Sequence, residues 1–397
     1  MGAGTVGTNS FMVNENIKVS VYYDPDQYTI SYDMCSGTGG PSAQTKYYGT
    51  TLTLSMTEPT RSGYTFQGWA TEAAGGCSAT SATYQAGDNY STNAAATLYA
   101  VWQASQLGSY LINNRTSIST LSDSLSGGLY RYQGTHSAVN NNYICFGTST
   151  KSTCTSNPDT YMYRIIGIDS SGNIKVIKHT PLSSLYKWHS SSTTSTANVH
   201  WVGSYIYKNL NASLFLTNTT YVPSGWSDKI KSVAWYYTTG NSTATHSGSA
   251  LSLTGENMYL YERGEYSKYS DEVTTVTAKI ALMHRSDFFL SLGSNNKCSE
   301  SSPCSTSWLY LSNYYSVADS LSADSFEQYE WLMDKRGWTS SGDYHAYAIN
   351  LKSGGGWITV DYGYYGRTRP VRPVFFVSSS VSLSGGTGTI SDPYLLS

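Results

Sequence analysis

An aromatic segment near the C-terminal end of the 397-residue chain is the strongest candidate for a binding site. It reads WITVDYGYYGRTRP and runs from Trp357 to Pro370. Its aromatic side chains could form a flat platform on which a sugar ring or a protein surface stacks, since aromatic residues and Arg dominate binding hot spots. Two charged residues, Asp361 and Arg367, would supply polar anchors beside that platform.

Strand alternation limits how many of these residues can face a ligand. Successive side chains of a strand point to opposite faces. In a continuous strand Tyr362 and Tyr364 would share one face, and Trp357 and Tyr365 the other. We therefore expect about half of the set to face the core, even where the binding site is real.

Motifs that carry catalysis or bind metal are missing from the sequence. It has no G-x-S-x-G, no H-E-x-x-H and no P-loop, and it lacks the E-P-N and Q-P-D triplets of calcium-dependent lectins. Among the scattered histidines, only His189 and His200 suggest a metal pair, with a strand–loop–strand hairpin as the default interpretation. We predict no catalytic residue, no metal site and no cofactor, and expect that the protein is not an enzyme.

Charge and composition narrow the class of protein further. The 24 basic and 26 acidic residues give a net charge of −2, so no basic field exists to attract nucleic acid. No run of eighteen apolar residues occurs, so we expect no membrane span. The chain has 36 tyrosines and is rich in Ser, Gly and Asn, the residues that build antibody binding surfaces. Tyr and Thr also favour strands, which is the simpler explanation.

Six cysteines fall into three pairs that are close in sequence. No C-x-x-C occurs, so zinc-binding and thioredoxin-like interpretations are weak. The simplest of fifteen connectivities is Cys35–Cys77, Cys145–Cys154 and Cys298–Cys304. Disulfides indicate an exported, extracellular or cell-surface protein, whereas six free thiols would fit a cytosolic one. The opening MGAGTVGTNSF is not a signal sequence, so we expect any signal or anchor to be removed or to lie outside this sequence.

A small module at residues 28–102 is the clearest structural element. It contains YTISY, a GTGG turn, TLTLS, the run PTRSGYTFQGWAT and a final TLYAVW. In this order these motifs resemble the Listeria–Bacteroides repeat, the β-grasp module of internalin-type surface proteins. The resemblance implies a spacer or adhesive stalk on a bacterial surface. Tyr64, Phe66 and Trp69 would supply the core, because aliphatic burial alone is marginal in so small a domain.

The rest of the chain predicts a β-rich α+β protein. Residues 1–27 are expected to form an N-terminal strand or linker, and residues 103–127 a linker that leads into a helix. Residues 128–397 are expected to form the ligand-binding domain, although whether residues 103–397 make one domain or two stays open. Strand-like runs lie at 161–168, 174–179, 277–284 and 372–377, and helix-like runs at 204–216 and 226–235.

The order of four late motifs resembles the C-terminal half of bacterial C-type-lectin-like folds. The motifs are SWLYLS, EWLM, YHAYAINLKSGGGW and TRPVRPVFFV. The branch concerned is shared by sulfatase-modifying-factor-like domains and retroelement-diversified receptors. Beyond Cys298 and Cys304, nothing matches the paired-cysteine active site of the first group. The resemblance implies an exposed, variable binding face at Trp338, Tyr344, His345, Trp357, Asp361, Tyr362, Tyr364, Tyr365 and Arg367.

The sequence thus predicts a bacterial cell-surface adhesin or receptor. Its ligand would be a glycan or a protein on another cell or surface, bound by a C-type-lectin-like head that follows a β-grasp module. The alternative is a structural pilus or cell-wall subunit whose tyrosines pack against neighbouring subunits. An enzyme that acts on surface polymers is a third hypothesis, for which the sequence nominates no catalytic pair.

Overall fold

The computed structural model describes twelve segments of the chain, at residues 24–61, 63–118, 120–125, 129–188, 200–238, 253–266, 273–298, 304–310, 329–336, 345–350, 357–362 and 368–397. The chain folds into two compact units. We call residues 24–61 and 65–103 the repeat unit, and residues 63–64 and 104–397 the large unit. The N-terminal strand predicted around IKVSVYY (17–23) lies outside the described residues.

The repeat unit is built on a four-stranded sheet in the order β2-β1-β6-β4. Strand β1 runs antiparallel to β2 and parallel to β6, and β3 pairs with β5. The strands predicted at 28–32, 51–55 and 97–102 coincide with β1, β3 and β6. The six strands are β1 (Gln27–Asp33), β2 (Gln44–Tyr47), β3 (Leu52–Thr53), β4 (Tyr64–Thr71), β5 (Asn89–Tyr90) and β6 (Ala96–Ala104).

Trp69 is the centre of the repeat unit's core. Its side chain is fully buried, and its ring meets Tyr32 at 4.7 Å and Phe66 at 5.0 Å in edge-to-face contacts. Such contacts stabilise beyond the area they bury. Trp102 also packs here and donates from Nε1 to the Met34 carbonyl at 2.9 Å. The prediction for Tyr64 was wrong, since that residue is half-buried and lies outside this core cluster.

The large unit contains the following elements in its described part. Its strands are β7 (Leu121–Leu125), β8 (Leu129–Tyr132), β9 (Tyr143–Cys145), β10 (Met162–Ile168), β11 (Ile174–Lys178), β12 (Tyr186–Lys187), β13 (Ile230–Lys231), β14 (Val233–Thr238), β15 (Val273–Ala278), β16 (Ile280–Ala281), β17 (Tyr329–Arg336), β18 (His345–Asn350), β19 (Trp357–Tyr362), β20 (Thr368–Arg369), β21 (Val374–Val377), β22 (Leu383–Gly385) and β23 (Leu395–Leu396). Its helices are α1 (Leu107–Asn113), α2 (Lys151–Ser156), α3 (Pro158–Tyr161), α4 (Tyr205–Leu210), α5 (Gly255–Tyr261) and α6 (Arg285–Leu290).

A central sheet in the order β13-β21-β11-β10-β8-β7 forms the core of the large unit, with β9 on β10 and β16 on β21. Every residue of β10 and β11 is buried, so both faces of the sheet are covered there. This explains why β10, MYRIIGI, reads as a nearly continuous apolar run, whereas β11, IKVIK, also carries the buried Lys175 and Lys178. They are joined at a turn in which Asp169 Oδ1 accepts from the backbone of Ser171 and Asn173.

Three of the predicted segments are corrected by the structure. The helix expected at 226–235 is absent, because a short 3₁₀ turn (Ser227–Lys229) is followed by β13 and β14. Ile230 instead pairs with Val377 at the edge of the central sheet. The strand expected at 277–284 breaks between β15 and β16, which pair with different partners. The helix of the linker segment ends at Asn113, and β7 follows.

Three disulfides join the cysteine pairs of the simplest connectivity. Their Cα–Cα distances are 5.4 Å for Cys35–Cys77, 6.0 Å for Cys145–Cys154 and 5.2 Å for Cys298–Cys304. Within the described residues, no helix combines the length and apolar character that a membrane crossing requires. The coarse expectation of a β-rich chain with some helices is confirmed.

Candidate functional site

Four of the nine predicted binding residues lie on two neighbouring strands. His345 begins β18, while Trp357, Asp361 and Tyr362 belong to β19. With β17 these strands form a three-stranded antiparallel sheet, β17-β18-β19, which we call the candidate sheet. The other five predicted residues lie outside the described part of the chain, namely Trp338, Tyr344, Tyr364, Tyr365 and Arg367.

The register of the candidate sheet fixes how its positions are shared between the two faces. His345 lies opposite Tyr362, and Asn350 opposite Trp357. Because residues directly opposite each other share a face, positions 345 and 362 lie on one face. Positions 357 and 361 are an even number of residues apart along β19 and lie on the other. The division of the aromatic set between two faces, expected from alternation, therefore holds for these four positions.

A buried ion pair anchors the start of the candidate sheet. Arg372 Nε donates to Glu330 Oε1 at 2.6 Å, and its Nη2 donates to Glu330 Oε2 at 2.8 Å. The same Nη2 donates to the Leu309 carbonyl at 2.9 Å. Both charged side chains are 2% exposed. This bidentate pair fixes the relative orientation of the two side chains as well as their distance. It therefore holds β17 against the segment that leads into β21.

The next residues of β17 continue this anchor into the apolar core. Trp331 is buried and donates from Nε1 to the Tyr186 carbonyl at 2.8 Å, and its ring lies 5.7 Å from that of Trp188. Its backbone N–H donates to the Pro370 carbonyl at 3.3 Å. The Met333 N–H donates to the Met283 carbonyl at 3.0 Å. We call residues 330–333 the root of the candidate sheet.

Beyond the root, the pairing between β17 and β18 becomes irregular. Trp331 pairs with Ala348, whereas Lys335 pairs with Ala346. Between these two pairs β17 advances by four residues and β18 by only two, so β17 contains a bulge. Bulges of this kind re-aim a strand and are common beside binding sites.

A second buried charge cluster surrounds Asp287 in the large unit. Lys175 Nζ lies 2.5 Å from Asp287 Oδ2, and Arg131 Nη2 lies 4.0 Å from Oδ1. The backbone N–H of His284 also donates to Oδ2, at 3.0 Å. Burial opposes ionisation of this carboxyl, but Lys175 and Arg131 outweigh it and lower the pKa of Asp287 to about 2. These side chains are at most 6% exposed, so the cluster stabilises the interior of the large unit and offers no surface to a ligand.

Metal binding finds little support in the described part of the chain. One group of donor atoms there has suitable spacing, Asp33 with Cys35 and Cys77, but the two sulfurs form a disulfide and offer no thiolate. His200 precedes the 3₁₀ turn Trp201–Gly203. Its predicted partner His189 lies outside the described residues, so that pairing stays a prediction.

Sequence reasoning missed the anchoring residues. Glu330 and Arg372 stand in the motifs EWLM and VRPV, where neither spacing nor composition indicates that they meet across 42 positions. Asp287 lies three residues after His284, the spacing of a capping box, and this short signal was available.

Comparison with known proteins supports the first resemblance. A family model of the Listeria-Bacteroides repeat domain matches residues 28–101, which span β1 to most of β6. No characterised protein and no solved structure matches the chain. The repeat is typical of bacterial surface proteins, and together with three disulfides it fits an extracellular or surface location.

Proposed function

We propose that the protein is an exported bacterial cell-surface adhesin or receptor that binds a glycan or a protein through its candidate sheet. In this proposal the large unit is a C-type-lectin-like head, and the repeat unit is a spacer. The matched repeat and the three disulfides support the location. The order of late motifs and the aromatic segment around β19 support the binding role.

The anchored root of the candidate sheet is the observation that carries the proposal. A binding surface gains affinity when the elements that present it are held in place before the ligand arrives. Glu330 and Trp331 hold β17 through an ion pair and an indole hydrogen bond, both in the core. Strands β18 and β19 are built outward from that root and carry four of the predicted contact positions.

The ligand class follows from the residue types rather than from a metal. Trp and Tyr rings stack on sugar rings and protein surfaces alike, and they combine a large apolar area with a polar tip. The lectin calcium triplets are missing from the sequence, so we expect binding that does not depend on calcium. Whether the face is hypervariable stays a hypothesis, which sequencing many clones of the source gene would test.

The test is binding of the full chain to a mixed panel of glycans, mucins and host-cell proteins, with and without a chelator. We expect selective binding that the chelator leaves unchanged. Replacing Tyr362 and Tyr365 together by Ala should weaken it at least about tenfold, the loss of one hot-spot contact. The matched control is Tyr48→Ala in the repeat unit, at a tyrosine that is 59% exposed.

Unchanged affinity of the double variant would reject the proposed site. Absence of binding to every member of the panel would favour the alternative of a structural pilus or cell-wall subunit. That alternative predicts stable oligomers, which size-exclusion chromatography with light scattering detects.

A further inference from the structure

Two buried arginines converge on adjacent carbonyls behind the root of the candidate sheet. Arg164 Nη1 donates to the Trp308 carbonyl at 3.2 Å, while Arg372 Nη2 donates to the Leu309 carbonyl at 2.9 Å. Arg372 is neutralised by Glu330. Arg164 is instead held by neutral partners, including Asn142 Oδ1 at 2.9 Å. This region therefore holds more positive than negative charge.

His179 lies beside these arginines, directly after β11. Its ring is 5.4 Å from that of Tyr143, and the Arg164 guanidinium carbon lies 4.6 Å from the centre of the same Tyr143 ring. Nδ1 of His179 is buried and has no hydrogen-bond partner in the structure as described. The preceding residue, Lys178, is fully buried and donates to the Asp159 carbonyl. A proton on His179 would thus enter a region already crowded with cations.

The charged and titratable groups that face this region come from several elements. Arg164 comes from β10, Lys178 from β11, Arg372 from the segment before β21, and Glu330 from β17. Asp159 of α3 offsets these positive charges in part. The pKa of His136 is also lowered, first by burial and then by Arg164. Tyr143 of β9 separates His179 from Arg164. We call Arg164, Lys178, His179 and Arg372 the basic cluster.

Burial, followed by Arg164, Arg372 and Lys178, lowers the pKa of His179 from 6.5 to about 4. The folded state therefore favours the neutral ring. The neutral His179 ring stabilises the folded state fully above pH 6.5, which is the pKa of an exposed histidine. This stabilisation is lost as the pH falls from 6.5 towards 4. Any local opening that exposes His179 becomes easier in acid.

We infer that the basic cluster is an acid-sensitive latch, which holds the root of the candidate sheet at neutral pH and loosens when His179 takes up a proton. The added charge repels Arg372, whose hydrogen bonds to Glu330 and to the Leu309 carbonyl fix β17. Geometry supports this coupling, because the Lys178 N–H, one residue before His179, donates at 3.0 Å to the carbonyl of Pro373, one residue after Arg372. Opening of the root depends on this coupling and not on any ligand. Its consequence, release of a bound ligand in acid, rests on the function proposed above.

Hydrogen–deuterium exchange of the full chain tests the latch without any ligand. Amides of the root, such as those of Trp331 and Met333, are compared at about pH 7.5 and about pH 5, after correction for the intrinsic pH dependence of exchange. The population of an opening that exposes His179 should rise on the order of 25-fold over this range. Peptides from β4 should not show this rise, because residues 1–103 contain no histidine.

The variant His179→Gln assigns the effect to this ring. It should flatten the pH dependence of exchange at the root and leave that of the repeat unit as it was. A root that opens no more than β4 in acid, or that opens equally in the variant, overturns the latch. If the variant fails to fold, the wild-type profile still decides, since the opening must develop between pH 6.5 and about 4. Because no ligand is present, failure of the binding proposal would leave this result untouched.

Discussion

The two units of the molecule are stabilised in different ways. The repeat unit has an aromatic core centred on Trp69, and within its described residues Lys46 is the one charged side chain that is fully buried. Lys46 is satisfied by neutral oxygens, with Nζ 2.6 Å from Asn93 Oδ1. The large unit instead buries carboxylates against basic groups, as at Asp287 and Glu330. Apolar burial stabilises the first, whereas the second also depends on keeping buried charges paired.

This difference makes the large unit more sensitive to the loss of a single charge. A buried ion pair adds little net stability, because desolvation offsets the attraction between its members. Removing one member is nonetheless costly, because the other charge stays buried without compensation. Arg131 and Lys175 would both be left in that state by the loss of Asp287.

Asp287→Asn should therefore cause the largest loss. We expect the free energy of unfolding of the large unit to fall by about 3 to 5 kcal/mol, since the amide keeps the shape but not the charge. Urea denaturation followed by tryptophan fluorescence measures it. The control is Asp392→Asn, which removes a partly exposed pair with Lys151 and should cost less than about 1 kcal/mol. Equal losses in the two variants would contradict the claim that burial makes the loss of one charge costly.

Local patterns in the sequence predicted the repeat unit better than the large one. Its strands and its central Trp69 follow from motifs that lie within a few residues of one another. In the large unit, β10 was predictable because a strand buried on both faces reads as an apolar run, and β11 because it is rich in β-branched residues. The segment at 226–235 was misread, because Ile230 takes its strand conformation from Val377, far along the chain.

The candidate site divides along the same line. Aromatic residues on β18 and β19 were found from composition and motif order. The residues that anchor them were not, because the ion pair Glu330–Arg372 joins positions 42 residues apart and leaves no periodic signal. Paired buried charges become visible only once the fold brings them together.

The disulfide of the repeat unit should have the next largest effect. Replacing Cys35 and Cys77 by Ser frees a loop of 42 residues, which by chain entropy costs about 4 kcal/mol. The corresponding loss for Cys298 and Cys304, only six residues apart, is about 2 kcal/mol. Denaturation should show the first variant destabilising the repeat unit alone. If the loss for the Cys35 and Cys77 variant were no larger than that for the Cys298 and Cys304 variant, loop length would not determine how much these disulfides stabilise the protein.

Gly68→Ala should have a smaller effect than loss of the Cys35–Cys77 disulfide, and it tests how tightly the aromatic core of the repeat unit is closed. Gly68 has φ +117°, and a Cβ there would lie 2.5 Å from the Tyr84 carbonyl oxygen. That oxygen accepts the Trp69 N–H at 2.7 Å, so moving it disturbs the residue at the centre of the core. We expect a loss of about 2 to 3 kcal/mol in the unfolding free energy of the repeat unit.

The matched control is Gly39→Ala, where φ is +72° but a Cβ meets nothing within 4 Å. Gly39→Ala isolates the cost of the left-handed backbone, about 1 to 2 kcal/mol. Equal losses would mean that the Tyr84 carbonyl moves aside without cost and that the core around Trp69 is not tightly closed at this point.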